Sequence, residues 1–294
     1  MSDKKIAVIL VNYNGVSDTL TCIESIKNST VDCQIIVVDN SSSQNELKVI
    51  EDFFPEVIGI QSKINGGFSY GNNFGIRMAI ERKYEYILLL NNDTVIDKNM
   101  IKFLLSYASE NTITVPSMFY YSNPETLWYG GGYIDKWTGR GKHKRMNKKL
   151  NVDLLKPEEC TFATGCCMLI SSNILKNIGL LDESFFMYCE DTEFCIRAIQ
   201  SGVIIKYIPR AKLWHKVSDS TGGSNSPFAI YYMTRNRLMY IEMHKSFFWF
   251  TAKFFSLFTR LLKAKFEKEK EIKEAFIMGI RDFRKGIKGQ AKIW

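Results

Sequence analysis

The sequence predicts an α/β fold: a mostly parallel sheet flanked by helices, followed by a C-terminal helical extension. Three observations carry this. Short β-branched and aliphatic runs alternate with helical patterns over the first hundred residues. Several of those runs stop abruptly on Asn or Asp, where the strands of an open α/β sheet meet a ligand cleft. After Ser226 the strand signals end, and apolar residues recur at helical spacing.

In chain order, KIAVILV (5–11) reads as a buried strand. A helix from about Ser17 to Lys27 presents Leu20, Ile23 and Ile26, and QIIVVD (34–39) is a second strand. Glu46 to Phe54 is helical, VIGI (57–60) is a third strand, and a Gly/Asn-rich turn leads to a helix over Asn72 to Arg82. YILLL (86–90) is the fourth strand. ITV (113–115) and LWYGGGYID (127–135) follow as strands, and GRGKHKRMNKK (139–149) reads as a solvated basic loop. CTFATGCCMLI (160–170) reads as one strand, and a helix near Asn173 to Lys176 ends at Gly179. VIIKYIP is a further strand, and a helix opens near Glu190.

The composition is ordinary for a globular protein, with 46% hydrophobic and 24% charged residues in 294. The seven cysteines, Cys22, Cys33, Cys160, Cys166, Cys167, Cys189 and Cys195, form no CxxC pair and no zinc spacing, so reduced thiols in the cytoplasm are expected. MSDKKIAVILVNYNG has too short an apolar run for a signal peptide. The longest apolar stretch, Phe247 to Phe258, is too short for a membrane span and carries Lys253. From Pro227 onward there are 15 Lys+Arg against 6 Asp+Glu, or +9; the preceding part has 24 against 25, or −1. Two parts are therefore expected: a catalytic domain over 1–225, and a basic helical region over 226–294.

Asn12, Asp39 and Asp93 each close an apolar run, and on a parallel sheet all three share an edge. Turn chemistry or a shared cleft explains them. VNYNG lacks the GxGxxG of a dinucleotide fold. INGGFSYGNNFG lets backbone approach a ligand or makes a tight turn. Glu190, Asp191 and Glu193 cluster at a helix start, with Glu193 and Arg197 at i,i+4 spacing. Phe185 to Tyr188 precede them, and such a dry setting makes a carboxylate a better base. His215 sits at a strand end, whereas His143 and His244 have no such context.

VNYNG, VVDNSS, NGGFSYGNNFGI, LLLNNDT, GLLDESFFMYCEDTEFCIRA and the His of LWH, in that order over residues 4–225, resemble the family 2 glycosyltransferases, which have the GT-A fold. The NND form, the FFMYCED context and YYMTRNRL are most similar to bacterial rhamnosyltransferases of surface-polysaccharide assembly. The resemblance implies an inverting transferase that moves a sugar, with dTDP-rhamnose favoured as donor, to a glycan or lipid-linked acceptor. Asn92 and Asp93 match the family's metal and diphosphate motif, with Asn91 where the stronger pattern has Asp. Asp93 and His215 are the implied ligands of Mg²⁺ or Mn²⁺. Asp39, Asn12, Tyr13, Asn65, Gly67 and Asn73 would frame the nucleotide. Asp191 would be the general base with Glu190 orienting it, Asp182 and Glu183 are weaker sugar contacts, and Arg235 would reach the diphosphate.

The tail then fits a peripheral position on the inner face of the cell membrane. Lys253, Ser256, Arg260 and Lys263 form one polar stripe on an otherwise apolar helix, a pattern of interfacial helices. Packing on the catalytic domain or in a homodimer is the alternative. Ile272, Phe276, Ile280, Phe283 and Ile287 mark a second helix. Two other classes compete. A sugar nucleotidylyltransferase needs a basic Gly-rich loop after the first strand, which VNYNG lacks. A non-catalytic protein using the tail on nucleic acid needs no acidic pair, and no nucleic-acid partner is expected.

Overall fold

A computed structural model describes residues 5–217 and 225–291. Its strands and helices run β1 (Ile6–Asn12), α1 (Val16–Lys27), β2 (Gln34–Asp39), α2 (Glu46–Phe53), β3 (Ile58–Gln61), α3 (Gly67–Glu81) and β4 (Tyr86–Leu90). There follow β5 (Thr94–Ile96), α4 (Met100–Leu105), β6 (Thr112–Tyr120), β7 (Asn123–Tyr129), β8 (Gly132–Asp135), β9 (Arg140–His143), β10 (Glu158–Cys160) and β11 (Cys167–Ser171). The chain ends with α5 (Ser172–Ile178), α6 (Glu190–Gln200), β12 (Ile204–His215), α7 (Pro227–Met243), α8 (Ala252–Phe266) and α9 (Lys270–Arg284).

Ten strands form one sheet in the order β10-β12-β6-β11-β4-β1-β2-β3, with β5 on β12 and β7 on β6; β8 and β9 form a separate hairpin. Strands β4, β1, β2 and β3 are parallel, as are β12 and β6, whereas β11 runs antiparallel between the two sets. The parallel strands carry continuous aliphatic runs because helices cover both faces. Residues Ala7 to Leu10 and Ile87 to Leu89 are wholly or nearly wholly buried.

Four sequence expectations are corrected. Helix α3 begins at Gly67 rather than Asn72. Its glycines weaken helix propensity, but Gly71 and Gly75 lie against Val11 and Ile9 of β1, closer than a side chain would allow. The 160–170 stretch is not one strand: it breaks after Cys160 and resumes at Cys167. GRGKHKRMNKK is not simply solvated. It supplies β9, and Arg145 makes a two-pronged ion pair with Glu158 at 2.8 and 3.0 Å. Finally, the polar stripe of α8 turns inward at its middle, with Lys253 and Lys263 exposed at its ends. Ser256 and Arg260 are buried, while Phe254, Phe258, Leu261 and Phe266 are exposed.

The C-terminal helices are tied to the sheet domain. Met239, Tyr240 and Ile241 of α7 join the main core. The Tyr240 hydroxyl donates to the Gly139 carbonyl, and Trp137 stacks on Trp249 at 5.2 Å. Among the described residues no helix is long and apolar enough to cross a membrane.

A Cβ at Gly75 would stand 2.5 Å from Ile9. Gly75→Val is therefore expected to push α3 off β1 and cost about 1–3 kcal/mol, read as a lower denaturation midpoint at unchanged slope.

Candidate active site

The carboxyl ends of β1 and β2 are in register, with Asn12 opposite Asp39. The Asn12 amide donates to Asp39 at 2.8 Å and Glu46 at 2.8 Å, and its carbonyl accepts from Thr19 at 2.7 Å. Asn92 donates to the same Thr19 hydroxyl at 2.8 Å. One hydrogen-bonded chain thus spans the ends of β4, β1 and β2. Asp39 accepts from the Ser42 amide and hydroxyl, Asn12 and Gln61. Burial opposes its ionisation, but these donors outweigh burial and hold its carboxyl below the usual range. Asn12 is fully buried, whereas Tyr13 stands exposed at the rim. Asn12 is therefore a strut at the carboxyl edge of the sheet, and Tyr13 is available to a ligand.

Asp93 follows the turn after β4, and β5 brings it back along β12, with Thr94 opposite His215. His215 Nε2 lies 3.1 Å from Asp93 Oδ1, and both side chains are nearly buried. The edge of Trp128 covers the imidazole at 4.6 Å. Burial opposes a charged ring, but Cys166 and Asp93 outweigh it and hold the His215 pKa up at about 10. Burial pushes the Cys166 thiol up as well. His215 Nδ1 is buried with no hydrogen-bond partner. With its pKa at about 10 the His215 ring is protonated at neutral pH, so Asp93 and His215, adjacent and facing each other, suit Mg²⁺ or Mn²⁺ once the cation displaces the Nε2 proton and a diphosphate completes the shell. Among the described residues no group of three or more His, Cys, Asp or Glu side chains could hold a metal unaided.

The acidic pair opens α6. Tyr188 and Cys189 before it adopt left-handed backbone, with φ of 66° and 76°, a strain of order 1–3 kcal/mol each. Two clamps hold this turn. The Asn236 amide donates to the carbonyls of Met187 and Tyr188, both at 2.9 Å. On the other side, Phe68 N–H donates to the Phe186 carbonyl at 2.9 Å. Gly67, at φ +86°, lies so close that a Cβ there would sit 1.9 Å from that carbonyl oxygen. Asp191 then accepts from Gly165 N–H at 3.1 Å and Thr192 N–H at 2.6 Å. Glu190 is buried, and its Oε2 has no partner. Burial raises both carboxyls, and the Asp191 charge raises Glu190 further.

The two halves meet at Gly165–Cys166, in the break between β10 and β11. Gly165 N–H holds Asp191, while the next residue, Cys166, touches His215 and accepts from Asn91 N–H at 2.8 Å. Adjacent Cα atoms are only about 3.8 Å apart, so Asp191 and His215 are tied to neighbouring residues of one chain segment.

Other residues named from sequence hold the walls. Asn65 accepts from Asn40 and from Gly67 N–H, both at 3.0 Å. Asn73 is buried and exchanges hydrogen bonds with Leu181 and Glu183, and Glu183 also pairs with Arg77 at 2.6 Å. The expected Glu193–Arg197 pair is present, and His244 joins it at 2.9 Å. Arg235 does not stand where a diphosphate would meet it. It is fully buried between α7 and the chain end, donates to Gly289 and Asn236, and lies over Tyr231 and Tyr232. It orients the Asn236 amide that clamps the 187–188 turn. Sequence reading passed over Thr19, Gly165 and Asn236, whose partners are remote in the chain.

Three comparisons bear on this arrangement. The glycosyl transferase family 2 profile matches residues 7–179. A low-salt glycan biosynthesis hexosyltransferase, Agl10 of Haloferax volcanii, is 30% identical over 80% of this chain and 74% of its own length. The dTDP-rhamnosyl transferase RfbF of Shigella flexneri is 24% identical over 82% of this chain and 81% of its own. A crystal structure of GalNAc-T7 with UDP, GalNAc and Mn²⁺ superposes with a TM-score of 0.66 at 17% identity, covering 96% of this chain and 56% of that one. The fold is thus that of the GT-A glycosyltransferases.

Because Glu190 is raised in the folded protein, ionising it opposes folding. Stability should fall as pH rises above the ordinary glutamate value of 4.5. Glu190→Gln is expected to raise the thermal midpoint at pH 7 to 8 and to leave it unchanged below pH 4.5. Calorimetry across that range checks the sign.

Proposed function

The chain belongs to glycosyl transferase family 2, and from that premise we propose that it is an inverting transferase whose donor is dTDP-rhamnose. It is a glycosyltransferase of glycan synthesis. The rhamnosyl assignment is supported by the RfbF relative and by the NND, FFMYCED and YYMTRNRL segments. The observation that carries the mechanism is the Gly165–Cys166 bridge, with Asp191 on one side and the Asp93–His215 pair on the other.

In this reading Asp191, raised by burial, takes the proton of an acceptor hydroxyl as that oxygen forms its bond to the sugar C1. The bond from C1 to the diphosphate oxygen breaks, and the nucleoside diphosphate leaves. One displacement inverts the anomeric carbon. Asp93 and His215 would hold a divalent cation, which when bound supplies positive charge against the diphosphate. Glu190 and the Gly165 amide keep Asp191 in place. Tyr13 meets the base at the rim, and the Asn12–Asp39–Thr19 chain fixes the floor beneath it.

The acceptor is proposed to be lipid-linked, with the protein peripheral on the membrane. Support comes from α8, whose outward face carries Phe254, Phe258, Leu261 and Phe266, beside a Phe250 that is 94% exposed. The surrounding +9 charge would add attraction to anionic lipid.

Asp191→Asn is expected to lower kcat by about 10²–10⁴-fold while leaving dTDP affinity intact; full transfer by this variant would refute the base assignment. Phe254→Asp with Phe258→Asp is expected to abolish co-sedimentation with anionic vesicles while the thermal midpoint holds. Unchanged sedimentation rejects the membrane face, and a dimer in solution that these changes dissociate would assign it to a second copy.

A further inference from the structure

A second charged site lies where the C-terminal helices meet the β8–β9 hairpin. Arg237 of α7 and Arg260 of α8 converge there with Arg140 of β9, and Lys263 stands at the edge. The hairpin is fixed against them by the Tyr240–Gly139 hydrogen bond and the Trp137–Trp249 stack. Arg260 is only 5% exposed. Its Nε and that of Arg237 are buried without a hydrogen-bond partner, and among the described residues none of the four cations has a salt bridge. Among the described residues Arg260 lies over the face of Phe276 at 5.6 Å, and Arg237 reaches the Tyr240 hydroxyl. Asp135, which acts on Arg140, is already paired with Lys142 at 2.7 Å.

Buried guanidinium without an anion is unfavourable. Burial, followed by the repulsion of Arg237 and Arg140, pulls the Arg260 pKa down to about 9. A fold that needed these cations only for packing would be better served by apolar side chains. The same cations act on Cys189, the residue that precedes Glu190 and Asp191, so the cluster adjoins the base.

We propose that Arg140, Arg237 and Arg260, with Lys263 at the mouth, bind the diphosphate of the lipid-linked acceptor. Arginine forks suit phosphate oxygens. The occupant's lipid would leave along α8, whose opposite face is apolar and exposed, and its sugar would lie toward Asp191. This inference rests on the transferase reading above and adds the acceptor's anionic group to it. The site is distinct from the Asp93–His215 locus, so a donor and an acceptor diphosphate are held at once.

The test uses full-length protein and two variants, Arg237→Met and Arg260→Met. Inorganic pyrophosphate in EDTA probes the cluster without a divalent cation. A prenyl diphosphate in detergent probes the lipid source, and dTDP with Mn²⁺ probes the donor site. The expected result has four parts. Pyrophosphate raises the wild-type thermal midpoint, and each variant binds it at least about tenfold more weakly. The unliganded variants melt at or above the wild type, and the prenyl diphosphate binds more tightly than pyrophosphate. Affinity for dTDP and Mn²⁺ stays within about twofold. The proposal is overturned if pyrophosphate does not bind the wild type, or if the variants bind it equally. It is also overturned if dTDP affinity falls in parallel, which would make the arginines part of the donor site. A prenyl diphosphate no tighter than pyrophosphate rejects the lipid source. Should a variant not fold, phenylglyoxal labelling of wild-type Arg237 and Arg260 decides: protection by pyrophosphate supports the site, and equal labelling overturns it. Failure of the wild type to bind dTDP with Mn²⁺ would instead strike the transferase reading, which the EDTA arm does not touch.

Discussion

The site depends on one short piece of backbone, Gly165–Cys166. Gly165 gives its N–H to Asp191, and Cys166 meets His215 and the strand end at Asn91. Asp191 is thereby tied to one side of a single peptide step, and the Asp93–His215 pair to the other. Asp93 faces the His215 imidazole at 3.1 Å. Asp191 is raised by burial, and the buried Glu190 beside it is raised by burial and by the Asp191 charge. A cation ligand wants a charged carboxylate and a general base wants one that holds a proton more readily. In the proposed mechanism Asp93 takes the first role and Asp191 the second, in different surroundings.

Placing the base demands strain elsewhere. Tyr188 and Cys189 take left-handed backbone, which an isolated chain would avoid. Asn236 from α7 and the Gly67–Phe68 turn of α3 hold their segment from two sides. Helix α7 therefore holds the turn before α6 and is also the route to the C-terminal helices. Arg235, buried and bonded to the Asn236 amide, acts one step further back.

Much of this was legible in the sequence, for identifiable reasons. The parallel strands showed as aliphatic runs, and their polar stops fall at the carboxyl edge of the sheet at Asn12 and Asp39, with Asp93 in the turn after β4. The acidic pair announced itself by its place at a helix start. What stayed hidden depended on tertiary contacts. The 160–170 run looks like one strand, because nothing local shows that 161–166 must leave the sheet to reach Asp191. Asn236 and Gly165 act through backbone groups distant in sequence. Arg260 and Ser256 looked like an outer stripe, because periodicity reveals two faces of a helix but does not say which one is buried.

The most direct measurement is a crystal structure grown with dTDP and Mn²⁺, with data collected at the manganese edge. The account predicts an anomalous peak between Asp93 and His215, with the Asp191 carboxylate facing the space beyond the terminal phosphate. A peak bound elsewhere, or one with Asp191 turned away from that space, would contradict it.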